Sequence, residues 1–178
     1  SSTTMETNDD VEKFVKWVGA KYVLSTDGSV NQDAGSKNEA GGGAILYRVE
    51  SGKWTEVCRQ SWPLGIGYSS YDAETATLSR GLKMARNSIL QAESWRGEKV
   101  KIFVTLDGLS TIVKASGGVP HNWLEAELFR EIGNCAQFFD TTFRTRLLCS
   151  GRSLPTQTDR LSSAASRQWH TGMTRRWS

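Results

Sequence analysis

The sequence predicts an α/β domain built on a five-stranded mixed sheet, the first three strands antiparallel and the fourth and fifth parallel, flanked by helices. Three observations lead there. Apolar or alternating segments at 22–26, 41–47 and 54–62 follow one another with only turns between them, which reads as an antiparallel meander. After residue 70, stretches of helical period alternate with strand-like ones, the pattern of parallel pairing. The length, 178 residues, is enough for one well-buried core and short for two.

Residues 1–20 read as a flanking or linker segment carrying a short helix at 11–18, ahead of a main domain at 21–170 and a basic tail at 171–178. Tyr22-Val23-Leu24-Ser25-Thr26 is a buried strand, and 31–39 a polar turn. Gly41-Gly42-Gly43-Ala44-Ile45-Leu46-Tyr47 resumes as a strand whose glycines permit close approach by a ligand or a neighbouring strand. It is a poor phosphate loop, because no Lys-Ser/Thr follows and no helix opens there. A hairpin turn at 49–53 leads to a half-buried strand at 54–62.

Glu74, Leu78, Leu82, Ala85 and Ile89 recur at helical spacing and form one stripe. Glu74 occupies its N-terminal end on the core-facing side, where a charge must be paired or bound to a metal. Residues 100–106 form the fourth strand. A short helix at 110–115 is stopped by Gly117-Gly118-Val119-Pro120. A longer helix at 122–139 turns Leu124, Leu128, Ile132 and Cys135 or Ala136 inward. A fifth strand at 141–149 and a last helix at 155–169, burying Leu161, Ala164, Ala165 and Trp169, complete the order. Trp54, Trp62, Trp95 and Trp123 are expected to pack on the core as well.

Composition narrows the function classes. Charged residues are 23% and hydrophobic ones 38% of the chain, as in ordinary globular domains. No apolar run approaches the roughly 20 residues that span a bilayer, so no membrane partner is expected. Three cysteines, Cys58, Cys135 and Cys149, show no CxxC spacing. A disulfide framework or zinc site is therefore disfavoured, and an intracellular location, nuclear or cytoplasmic, is expected. Net charge is +3, but unevenly placed: from Arg144 onward there are seven arginines and a single acid, Asp159. That basic end is either a solvated tail or a phosphate-facing surface.

Four acids stand in distinctive local settings. Asp27 ends the first apolar run, Glu74 opens the helical stripe, Asp107 ends the fourth strand, and Asp159 lies just inside the last helix. Carboxylates at strand ends and helix starts can converge on one edge of a sheet. Once converged they repel unless a divalent cation neutralises them, and all-oxygen sites suit Mg²⁺ or Mn²⁺. The chemistry indicated is metal-assisted phosphoryl transfer.

Thr26-Asp27-Gly28-Ser29, Gly41-Gly42-Gly43-Ala44-Ile45-Leu46, Ser69-Ser70-Tyr71-Asp72-Ala73-Glu74, Val104-Thr105-Leu106-Asp107 and Asp159-Arg160-Leu161-Ser162 follow in that order. In these pieces the chain, from about Tyr22 to Ser166, resembles type 1 ribonuclease H, most closely the ribonuclease H domains of non-LTR retrotransposons. The resemblance implies a ribonuclease H-like fold and an endonuclease that cuts the RNA strand of an RNA–DNA hybrid. It implies two Mg²⁺ ions about 3.5–4 Å apart, one on each side of the scissile phosphate, with Mn²⁺ able to substitute. Asp27 would bridge both ions, Asp159 would help hold the one that activates the attacking water, and Glu74 with Asp107 would hold the one at the leaving 3′ oxygen. Such a transition state needs positioning and charge neutralisation more than a protein nucleophile.

A 2′-OH in a shallow minor groove is read by backbone and short polar groups. Gly41, Gly42, Gly43, Ser29 and Ser70 suit that approach by size and polarity, although turn and helix-cap chemistry would also account for them. By the same resemblance the domain is a monomer beside a reverse transcriptase in a polyprotein. Departures from the family pattern fall at Cys149, where many members carry histidine, at Gly108-Leu109 after Asp107, and at Leu154-Pro155-Thr156 before Asp159. His121 and His170 are expected at the surface. Gly117-Gly118-Val119-Pro120 is not the basic protrusion of some cellular members. These departures leave open a second function, a hybrid-binding or scaffold module of the same fold with weakened catalysis. A transposase or proofreading exonuclease fits less well, given Ser29 two residues after Asp27 and a helix-opening Glu74.

Overall fold

Alternation along the first strand puts Tyr22, Leu24 and Thr26 on one face and Val23 and Ser25 on the other, and both sets are buried. A strand buried on both sides must be central and covered by helices on each face. The computed structural model of the protein describes residues 8–32, 38–94, 96–115 and 117–145, and it places that strand third of five. The elements run α1 (Asn8–Val18), β1 (Tyr22–Val30), β2 (Glu39–Glu50), β3 (Lys53–Ile66), α2 (Ser70–Ala92), β4 (Val100–Leu106), α3 (Leu109–Ala115), α4 (Trp123–Ala136) and β5 (Phe139–Thr145). The sheet order is β3-β2-β1-β4-β5. β1 pairs antiparallel with β2, and β2 with β3. β4 is parallel to both β1 and β5.

On one face Tyr22, Leu24, Ala44, Leu46, Ile102 and Val104 meet Leu78, Leu82, Ala85 and Ile89 of α2 and Leu128 and Cys135 of α4. On the other face Val23, Ile45, Tyr47 and Phe103 pack with Val15 of α1 and Ala20. Each fully buried aliphatic or aromatic side chain contributes about 1.5–3 kcal/mol. α1 thus lies packed on the sheet rather than beside it. Cys58 and Cys135 are free thiols, and burial first of all pushes the Cys135 thiol up to about 12.

α2 approaches the sheet unusually closely, and glycines make the room. A Cβ at Gly42 would fall inside the hydroxyl of Thr77, and one at Gly81 would lie 2.8 Å from Thr26 Cγ2. Helix and strand each give up a side chain where they cross. Within α2, Thr77 donates to the carbonyl of Ala73 at 2.7 Å and Ser79 to that of Thr75 at 3.2 Å, so these buried hydroxyls bond one turn back.

Several boundaries differ from the sequence reading, each for a physical reason. β1 continues to Val30, so Asp27 and Ser29 lie within the strand, held there by pairing with Gly43 and Gly41. β3 runs past Pro63 to Ile66, because it is an edge strand where a missing N–H is tolerated. α4 ends at Ala136 and β5 starts at Phe139 rather than 141. There the Phe138 N–H closes back on the Cys135 carbonyl at 3.0 Å, and Phe139 is buried at 3% exposure opposite Val100. Cys135 rather than Ala136 completes the buried stripe of α4, and Ile132 is half-buried. Trp54 and Trp62 are half-buried against the two cores. Trp123, expected in the core, is 66% exposed, because it opens α4 beside Leu124, which takes the inward position. Trp95, the rest of the fifth strand and the final helix lie outside the described residues.

Leu128→Ala should destabilise the protein by about 2–5 kcal/mol, and Gly42→Ala by about 1–3 kcal/mol through overpacking against Thr77. Urea denaturation checks both, as a lower midpoint with an unchanged slope.

Candidate metal centre

The parallel pairing of β1 and β4 aligns Ser25 with Thr105. Two residues further on, Asp27 and Asp107 therefore reach the same edge of the sheet side by side. Asp27 is half-buried and Asp107 exposed. Glu74 comes from the first turns of α2, whose start is fixed by a capping box. The Ser69 hydroxyl accepts the Asp72 N–H at 3.0 Å, and the Asp72 carboxylate accepts the Ser69 N–H at 3.1 Å. Such reciprocal bonds satisfy two N–H groups that the helix cannot, and they fix the residue at which α2 begins.

Two glycines let Glu74 arrive. A Cβ at Gly28 would lie 2.8 Å from the Glu74 backbone nitrogen, so only glycine allows the start of α2 to sit against β1. A Cβ at Gly108 would lie 3.1 Å from Glu74 Oε2 and 3.1 Å from Thr111 Oγ1. Glu74 Oε2 is shielded from solvent there. The outcome is a triad in which one carboxylate oxygen each from Asp27, Glu74 and Asp107 lies within 4.8 Å of the others. An all-oxygen, triply anionic donor set with one member exposed fits a hard divalent cation and offers a path for its entry.

Of the predicted site residues, the fold brings together Asp27, Glu74 and Asp107, while Asp159 lies outside the described residues. Ser29 follows Asp27 by two in β1, half-buried on the same face of the strand. Ser70 is the exposed first residue of α2. The cap is Ser69, so capping does not account for Ser70. Gly42 turns its Cα toward α2. Gly41 and Gly43 are buried in β2, paired with Ser29 and Asp27.

A buried acid that bonds to the first turn of α2 went unnoticed in the sequence. Glu125, 5% exposed in the first turn of α4, accepts from Tyr71 Oη at 2.9 Å and from the His121 N–H at 2.7 Å. Lys114 Nζ lies 3.5 Å away. The His121 N–H is the main influence holding its carboxyl below the ordinary range; burial opposes it, and Tyr71 and Lys114 reinforce it. Burial first, then the bond to Glu125, raises the Tyr71 hydroxyl. Only Asn122-x-x-Glu125, the capping-box spacing, hinted at a fixed position for it.

No protein-family model matches the sequence, and no curated protein matches it. Solved structures do match. The N-terminal RNase H domain of rv2228c from Mycobacterium tuberculosis superposes with a TM-score of 0.54 at 17% identity over 82% of this chain and 95% of that one. The RNase H domain of PFV gives 0.57 at 18% over 85% and 95%. LC11-RNase H1, solved in complex with an RNA/DNA hybrid, gives 0.53 at 15% over 83% and 92%. At these identities the likeness establishes the fold, which is ribonuclease H-like: a mixed sheet with β1, β4 and β5 parallel and helices on its faces. No helix among the described residues is long and apolar enough to cross a membrane.

Mn²⁺ should raise thermal stability, by about 2.7 kcal/mol at a concentration 100 times its dissociation constant. Asp27→Asn and Asp107→Asn should each abolish the metal-dependent gain, as differential scanning fluorimetry would read. A second expectation concerns acid. Because the fold holds the Glu125 carboxyl below its ordinary value, chiefly through the His121 N–H, the folded protein binds fewer protons there. Its stabilisation is full above the unfolded pKa and is lost as pH falls through the folded one. Denaturation measured from about pH 6 down to about pH 3 should show a shallower acid limb in Glu125→Gln. Some slope remains from Glu93, lowered in the same direction by hydrogen bonds from Lys21 and Tyr22.

Proposed function

We propose that this protein is a metal-dependent endonuclease hydrolysing the RNA strand of RNA–DNA hybrids, a type 1 ribonuclease H akin to those of non-LTR retrotransposons. One observation carries the reading: Asp27, Glu74 and Asp107 meet within 4.8 Å at one edge of the sheet, on a fold shared with RNase H domains, one of them solved with an RNA/DNA hybrid. Asp159 is the proposed fourth member. Two Mg²⁺ ions, or Mn²⁺ in their place, would be held by these four carboxylates and would supply charge neutralisation at the scissile phosphate and a lowered pKa for the attacking water. The chain's own part is to hold the carboxylates at fixed separation and to admit the hybrid. Ser29 and Ser70, with backbone at Gly42 and Gly43, are the proposed contacts to the RNA strand, where a 2′-OH separates RNA from DNA.

A foamy viral protease-reverse transcriptase solved with an RNA/DNA hybrid superposes with a TM-score of 0.54 at 17% identity, and the chain spans 20% of its length. That supports a place beside a reverse transcriptase in a larger polyprotein. We assign the main domain to residues 21–170, read it as monomeric and intracellular, and read 171–178 as a basic tail. The competing reading, a hybrid-binding module with weakened catalysis, draws on Gly108, Cys149 and Leu154-Pro155.

The test is a cleavage assay on labelled RNA–DNA hybrid, double-stranded RNA and duplex DNA, with Mg²⁺, Mn²⁺ or chelator. The expected result is cutting of the hybrid alone, lost with chelator and in Asp27→Asn. Metal-independent hybrid binding without cutting would select the binding module instead.

A further inference from the structure

Glu125 ties together α2, which carries Glu74, and α3, which begins two residues after Asp107. Tyr71 stands one turn ahead of Glu74 in α2. Lys114 lies in α3, the helix that begins just after Asp107. His121 belongs to the link into α4. All three converge on Glu125: Tyr71 Oη at 2.9 Å on Oε1, the His121 N–H at 2.7 Å on Oε2, and Lys114 Nζ at 3.5 Å from Oε2. Asn122 Oδ1 in turn accepts the Glu125 N–H at 2.9 Å.

A buried, paired carboxylate is a weak source of stability, since a well-packed apolar residue often does as well. Its bonds have direction, however, and bonds from three segments fix the relative rotation of those segments. From this convergence we infer that Glu125 is a positioning residue of the metal centre. Through Tyr71 it sets the first turn of α2, and through Lys114 it sets α3, so it governs the separation of Glu74 from Asp107. The inference rests on the metal-centre reading above and deepens it.

The molecule carries its own control. Glu131, 8% exposed on the same helix, pairs with Arg86 of α2 at 3.2 Å, joining the same two helices about three turns beyond Glu74. Its loss loosens α2 against α4 without touching the first turn of α2.

The experiment is Mn²⁺ titration calorimetry on the full chain, at a temperature where every variant is folded, with melting temperatures recorded alongside. Glu125→Gln and the gentler Tyr71→Phe are each expected to weaken Mn²⁺ binding by up to about 10-fold, the lower end of what is lost when a group bonded directly to a metal ligand is removed. The double variant should bind no more weakly than the worse single one, because Tyr71 acts by way of Glu125. Glu131→Gln should lower the melting temperature and leave Mn²⁺ affinity unchanged. An affinity loss in Glu125→Gln no larger than in Glu131→Gln, or additive losses in the double variant, would overturn the inference. A wild-type protein that binds Mn²⁺ yet cuts no hybrid would remove the nuclease reading alone, with the positioning role still read from the calorimetry. A wild-type protein that binds no Mn²⁺ would overturn both.

Discussion

Everything at the site depends on how closely α2 can lie on the sheet. Helices normally stand off a sheet by the length of two interdigitating side chains. Here Gly42 and Gly81 remove one side chain from each partner, and Gly28 admits the backbone at Ala73 and Glu74 directly onto β1. Without that approach Glu74 would stand a side chain's length too far from Asp27. The packing that closes the core and the packing that gathers the carboxylates are one contact, so the same glycines serve both.

Gathering three like charges costs folding free energy, and the surroundings show how it is borne. Hydrophobic burial behind the site is continuous: Leu24, Leu78, Leu82, Val104 and Leu106 form one cluster under it. The start of α2 is locked by a capping box. Glu125 and Glu131 place two more acids on α4, but each is met by a cation, Lys114 and Arg86 respectively.

The sheet was legible in the sequence because its signals were local. Periodicity separated strands from helices, and the short turns at 31–39 and 49–53 forced antiparallel neighbours. Asp27 and Asp107 could be read as partners because each closes an apolar run, and parallel strands end at a common edge. Glu74 could be read because it stands at the N-terminal end of a core stripe. What failed was set by distant contacts. The length of β1 depends on pairing with Gly41 to Gly43, and the start of β5 on Phe139 finding Val100 across the sheet. Gly42 carried two readings, ligand approach or strand packing, and only the position of Thr77 shows what lies against it. Glu125 was illegible because Tyr71, Lys114 and His121 come together only once α2, α3 and α4 are docked.

Gly108 shows how a departure from the family pattern can be accommodated. The resemblance leads one to expect serine after Asp107, and glycine there could be read as a lost polar contact. In the fold, a Cβ at this position would press at 3.1 Å on both Glu74 Oε2 and Thr111 Oγ1, tighter than side chains usually tolerate. Thr111 is fully buried, and its hydroxyl lies on the other side of the same space. A serine would compete with it for the same space, whereas glycine leaves room for Glu74 to turn toward Asp27 and Asp107. The substitution thus leaves the three gathered carboxylates in place. On that argument Gly108 gives the binding-module reading little support and is compatible with a working carboxylate cluster.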